Sequence, residues 1–348
     1  MTNHKANKQN DTRPTRALKS FGRALLRAYS YCMLSLSAWA RRLGKLILLA
    51  AFRTGRAIKA SWGRLRRIPE SLRRSSSRGY PYYRHPLPLR IMHWSNVLFL
   101  ALLLMSGLNI FDAHPALNWG QSSYSGAPPL LEIGDEEGSG GKISGVTRLF
   151  GHNFDTTGFL GASRGPQGEL TARSFPSWLT IPGSLWLAMA RRWHFFFAWL
   201  LVINGVTFVT YSIASGHVRR DFAPTGQDIR SIGSSILDHL RFRHSKGEAA
   251  KRYNVLQKSA YLGVIFFLLP LMILMGMGMS PALDALCAGW VDIFFGRQSI
   301  RTIHFIVAWV LVLFVIVHVF EVIVTGFWNN LRSMITGYYR IEGEADHG

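Results

Sequence analysis

Four long apolar runs, each bounded by polar or turn-forming residues, occupy positions of about 90–111, 184–214, 254–279 and 302–326. Each supplies the roughly 20 residues that an α-helix needs to cross a bilayer. Pro270 falls inside the third run and predicts a kink, which a membrane helix tolerates when neighbours satisfy the freed carbonyl. Upstream the pattern differs. Residues 17–72 interleave apolar and basic positions, and no uncharged stretch there reaches spanning length. Such a pattern predicts basic amphipathic helices lying on a membrane surface. Residues 1–20 are polar, with no signal-peptide pattern, and are expected to be disordered. Residues 75–88, rich in Ser, Tyr, Pro and Arg, read as a linker. The pattern therefore predicts an all-α membrane protein: a four-transmembrane-helix bundle over 86–340, with loop 112–181 inside it, and a basic amphipathic extension over 1–85.

Composition agrees, with 48% hydrophobic and only 17% charged residues in 348. The net charge of +21 is uneven, since residues 1–90 carry 21 Lys/Arg against Asp11 and Glu70. This asymmetry sets an orientation. Segment 215–253 has eight Lys/Arg, whereas loop 112–181 has four against seven acids, and 280–300 has one against two. By the positive-inside rule the amino-terminal region, segment 215–253 and both termini face the cytoplasm of a bacterial cell, and loop 112–181 faces the periplasm. The basic residues lack any recognised nucleic-acid-binding fold, so lipid rather than nucleic acid is the expected partner. Cys32 and Cys287 are the only cysteines and no CxxCH occurs, which excludes covalent c-type haem.

Four of the twelve histidines fall within the spans: His93, His194, His304 and His318. Ionisable side chains inside a membrane are costly and point to function. His304 and His318 lie 14 residues apart, a rotation of about 1400°, only about 40° short of four turns, so both leave one helix face about 21 Å apart in depth. Such a helix can offer one axial ligand to each of two stacked cofactors. Alternating helix directions then pair His93 with His318 near the cytoplasm and His194 with His304 near the periplasm. Two imidazoles per level suit a low-spin b-type haem and lack the third and fourth ligands of a zinc or copper site. Gly107, 14 residues after His93, and Gly205, 11 after His194, sit where a small residue would let a macrocycle approach, or where helices simply pack closely. Arg90, Arg191, Arg192 and Arg301 flank the histidines and could pair with propionates or anchor helix ends.

The motifs Arg-Ile-Met-His-Trp (90–94), Arg-Arg-Trp-His-Phe-Phe-Phe-Ala-Trp (191–199), Arg-Thr-Ile-His-Phe (301–305), His-Val-Phe (318–320) and Tyr-Asn-Val-Leu-Gln-Lys (253–258) resemble those of di-haem cytochrome b membrane subunits. Formate dehydrogenase gamma subunits and thiosulfate reductase cytochrome b subunits are the nearest likenesses, over about 85–340. The resemblance implies electron transfer between membrane quinone and a periplasmic oxidoreductase subunit, often a molybdopterin enzyme. It also implies a quinone site beside the cytoplasmic haem, with Asn254 and Gln257 as contacts and Glu321 as a proton relay. The basic extension and the long periplasmic loop, with 153–161 and 174–178, depart from the pattern; the loop is similar to that of cytochromes paired with sulfite-oxidase-like proteins. The alternative is a self-contained di-haem cytochrome b that oxidises superoxide or reduces an external acceptor directly.

Overall fold

The computed structural model describes residues 79–123, 126–138, 141–217, 254–281 and 289–341, with isolated positions at 225–226, 230–231, 233 and 235. The amino-terminal extension up to 78, most of segment 215–253 and both cysteines lie outside the described residues.

Four helices are long and apolar enough to span a membrane: α1 (Leu87–Asp112), α2 (Leu187–Ala214), α3 (Val255–Gly278) and α4 (Arg297–Val324). Their bounds fall within a few residues of the predicted runs. Within the protein, at most 22% of any spanning window is buried. The rest, including Leu98, Phe196, Trp199, Leu313 and Ile316, is exposed apolar surface that only lipid would cover. The helix α1 begins on Pro86 and Pro88, where a missing N–H costs nothing. A π-helical turn at Val264–Leu268 interrupts α3 just before Pro270, so the sequence-predicted irregularity takes the form of a π-bulge.

Helix α1 packs along α2, and the second half of α3 packs on α4. At the level of His93, Asn204 of α2 donates to the Met92 carbonyl (2.9 Å) and to Asn96 Oδ1 (2.7 Å), tying α1 to α2. Near the other end, Asn109 Nδ2 donates to the carbonyls of Pro182 (2.6 Å) and Ser184 (2.8 Å) just before α2.

The all-α expectation holds for the spanning helices but not for loop 112–181: β2 (Ala116–Leu117), β3 (Leu131–Glu137), β4 (Ile143–Leu149) and β5 (His152–Asp155) form an antiparallel meander, followed by a hairpin of β6 (Ala162–Arg164) and β7 (Leu170–Ala172). The apolar face of this cap is real core. Leu117 and Ile133 join Phe175, and Leu108 and Phe111 from the end of α1, with Phe305 of α4 packed against them. Arg173 stitches the return to α2, donating through Nε to Phe175 O (2.6 Å), Nη1 to Gly183 O (3.0 Å) and Nη2 to Thr180 Oγ1 (3.0 Å).

The stretch 75–88 is likewise more than a linker. Tyr80–Tyr83 forms strand β1, antiparallel to β8 (Tyr338–Ile341), which follows the short helix α5 (Phe327–Thr336). Gly337 turns α5 into β8 at φ 92°, and a Cβ there would lie 2.7 Å from Tyr83 and 2.9 Å from the His85 carbonyl. The ribbon is locked to α1 by Arg90, which donates to the Ile335 carbonyl, and by Trp94 Nε1 to Met334 O at 3.1 Å.

Candidate functional site

The bundle brings the four membrane histidines together in two pairs. His93 of α1 faces His318 of α4 with ring centres 6.3 Å apart and planes at 59°. His194 of α2 faces His304 of α4, also at 6.3 Å, with planes at 64°. An imidazole nitrogen bonds a metal ion at about 2 Å and the ring centre lies about 1 Å behind it, so two imidazoles on opposite sides of one ion have centres roughly 6 Å apart. Both pairs have that spacing. No group of three or more His, Cys, Asp or Glu that could hold a metal ion occurs among the described residues.

The pair of His194 and His304 is oriented by hydrogen bonds. Ser106 Oγ donates to Leu102 O at 2.7 Å, so its lone pair is left to accept from His194 Nδ1–H at 3.1 Å. His304 Nδ1–H donates to the Met272 carbonyl of α3 at 3.1 Å. Both rings therefore hold their proton on Nδ1 and leave Nε2 as the lone-pair nitrogen, as an axial ligand requires. Two glycines back these rings. A Cβ on Gly107 would meet His194 Cε1 at 3.3 Å, and one on Gly276 would meet His304 Cε1 at 3.4 Å. Gly107 thus sits at the expected depth, but what it makes room for is the histidine of the neighbouring helix. A Cβ on Gly205 would meet no protein atom within 4 Å, which fits the approach of a macrocycle on that face.

At the level of the other pair, His318 stacks on Phe314 (5.9 Å, 16°) and meets the edge of Tyr261 (6.3 Å, 71°). His93 Nδ1 is buried without a hydrogen-bond partner. Two further histidines, His85 and His217, are each 7% exposed near this level. Burial, reinforced by Arg84, His93, His217 and Arg90, pushes the His85 imidazole down to about 3.

The predicted arginines divide. Arg191 and Arg192 are exposed at the start of α2, with the Arg191 guanidinium 5.7 Å from the Phe195 ring centre. Arg301 is instead committed to the protein: it donates to the His114 and Ala116 carbonyls and lies 5.5 Å over the Phe111 ring. With Thr302 Oγ1 donating to Asn118 O (2.7 Å) and Gly120 N–H to Ser299 Oγ (2.8 Å), it fixes the start of α4 to the chain leaving α1. That clamp positions His304. Asn254 and Gln257 form a capping box on α3: Gln257 N–H donates to Asn254 Oδ1 (2.8 Å) and Asn254 N–H to Gln257 Oε1 (3.3 Å). Their side-chain carbonyl oxygens thus hold the helix start, and the side-chain amide NH2 groups are what they can offer a ligand. Glu321 lies one turn beyond His318 on α4 with Oε2 buried.

Sequence reasoning missed Ser106, Met272 and Gly276. Nothing in their spacing marks them, because each matters through a neighbouring helix.

Comparison with known proteins gives the arrangement a family. The model of the prokaryotic cytochrome b561 family matches residues 84–337. The chain is 28% identical over 261 residues to "Putative protein-methionine-sulfoxide reductase subunit YedZ1" of Azospira oryzae, covering 74% of this chain and 98% of that one. It is 22% identical over 270 residues to "Probable Ni/Fe-hydrogenase B-type cytochrome subunit" of Cupriavidus necator, covering 74% and 86%. No solved structure matches it. With four spanning helices, two facing histidine pairs and a family match across nearly the whole described core, the chain belongs to the prokaryotic cytochrome b561 family.

Proposed function

We propose that this chain is the membrane subunit that carries electrons between the quinone pool and a periplasmic oxidoreductase, using two b-type haems held by His93 with His318 and by His194 with His304. The observation that carries the reading is the pair of histidine contacts at two levels of one bundle, each with ring centres 6.3 Å apart. A b-type haem supplies, when bound, a one-electron centre whose potential the axial ligands and surroundings set. The chain's own residues do the rest. Helix α4 serves both levels; Ser106 and the Met272 carbonyl hold the imidazoles of His194 and His304 in orientation. Apolar helices keep water from the two centres.

Quinone is placed at the cytoplasmic end near the start of α3, where the side-chain amide NH2 groups of Asn254 and Gln257 can donate and Glu321 can move a proton. The β-sheet cap of 112–181 is the docking platform for the partner. Both relatives are named as subunits of oxidoreductases, which favours a subunit over a self-contained cytochrome. A molybdopterin enzyme remains the partner class, on the likeness of the long loop. The charge distribution supports an inner-membrane location with both termini in the cytoplasm.

Pyridine haemochrome on purified protein should give about two protohaems per chain, with low-spin bis-imidazole spectra. His93→Ala and His318→Ala should remove one spectral component, and His194→Ala and His304→Ala the other. A single haem, or loss of the same component in His93→Ala and His194→Ala, defeats the assignment.

A further inference from the structure

At the cytoplasmic end of the bundle the protein encloses an excess of cationic and imidazole groups. His85 and His217 are nearly fully buried although they lie outside the spanning helices. Among the described residues, the groups acting electrostatically on His85 are Arg84, His93, His217 and Arg90, none of them a carboxylate. Arg90 places one nitrogen on the Ile335 carbonyl, yet its Nε is buried without a partner, as is Nδ1 of His93. Burying polar nitrogens unpaired is costly, most of all for a charged group, so the cluster is poised for an acceptor.

The enclosure is built rather than incidental. The Arg84 and His85 N–H groups both donate to the Gly337 carbonyl, at 2.9 and 3.2 Å. The β1–β8 ribbon and α5 thus cover the cluster from the aqueous side. An anion reaching it from within the bundle would come from the level of His93 and His318.

We propose that His85 and Arg90, with His217 and Arg84 around them, form a carboxylate-binding site that takes the propionates of the cytoplasmic-side haem. The inference rests on the haem assignment made above. Haem carries two carboxylates that cannot remain in hydrocarbon, and the cluster supplies donors and positive charge on the aqueous side of His93. Of the arginines that flank the histidines, Arg90 alone joins this cluster, and His85, His217 and Arg84 extend it; at the other level, Arg301 is committed to backbone carbonyls.

The test reconstitutes the full-length apoprotein in detergent with protohaem or with protohaem dimethyl ester, which lacks the carboxylates. Retention at each level is read from the separate spectral components. The wild type should hold the free acid more tightly than the ester at the cytoplasmic-side level, by about ten- to a hundredfold. His85→Leu and Arg90→Gln should each shrink that ratio towards one, while His85→Gln and Arg90→Lys keep part of it. The component that depends on His194 and His304 reports in every variant that the bundle has folded. Equal retention of acid and ester by the wild type overturns the proposal, as does a ratio unchanged in both His85→Leu and Arg90→Gln. Retention of neither pigment by the wild type would instead defeat the haem assignment itself.

Discussion

Replacing Gly107 with valine should displace the His194 ring and cost the protein the haem at that level. A Cβ at position 107 would lie 3.3 Å from His194 Cε1, inside the usual carbon contact of about 3.5–4.0 Å, and 3.6 Å from Nδ1, an ordinary contact. Alanine therefore asks for a shift of a few tenths of an ångström. Valine places methyl carbons about 1.5 Å further out, and the ring must move by an ångström or more. That movement breaks the 3.1 Å bond to Ser106 and disturbs the 6.3 Å spacing to His304. Overpacking of this kind costs about 1–3 kcal/mol, which corresponds to roughly five- to 150-fold weaker retention of the haem. The assay is haem per chain and the low-temperature α-band after prolonged detergent dialysis, following the component lost in His194→Ala. Gly205→Val is the contrasting variant, because its side chain meets no neighbouring protein atom. Its effect should fall on the component lost in His93→Ala. A Gly107→Val protein with wild-type retention and an unshifted band would refute the packing argument.

Arg173→Leu should strip three hydrogen bonds from the segment leading into α2 and destabilise the cap by about 2–4 kcal/mol. The check is faster proteolysis within 160–185; an unchanged rate would contradict it. A reporter active only in the periplasm should work when fused near Gly140 and fail near Gly247 or after His347, following the charge asymmetry of the loops. Activity at Gly247 would invert the orientation.

The histidine pairing was legible in the sequence because helix geometry is rigid: 14 residues fix both the face and the depth of His304 and His318. The spans were legible because length and hydropathy alone decide them. The cap was harder to see. Strand β3 carries Glu132, Asp135, Glu136 and Glu137, spread over both faces, and β4 carries Gly145 and Arg148, so the alternation is diluted. Strand β1 was illegible for another reason: its partner β8 lies some 250 residues away, and an isolated Tyr-Pro-Tyr-Tyr reads as a turn. Asn254 and Gln257 lie at the spacing of a capping box, so their hold on the start of α3 is legible as a local pattern.

The β1–β8 ribbon also sets a timetable. Arg90 and Ile335 are 245 residues apart, yet they meet at one end of the first helix. A ribosome adding roughly 5–20 residues per second needs about 12–50 s to travel between them. During that interval α1 is complete, but the Arg84 and His85 N–H groups lack the Gly337 carbonyl that they meet in the folded protein. The residues that close this end of the bundle are thus among the last to be made, and the end stays open until they arrive.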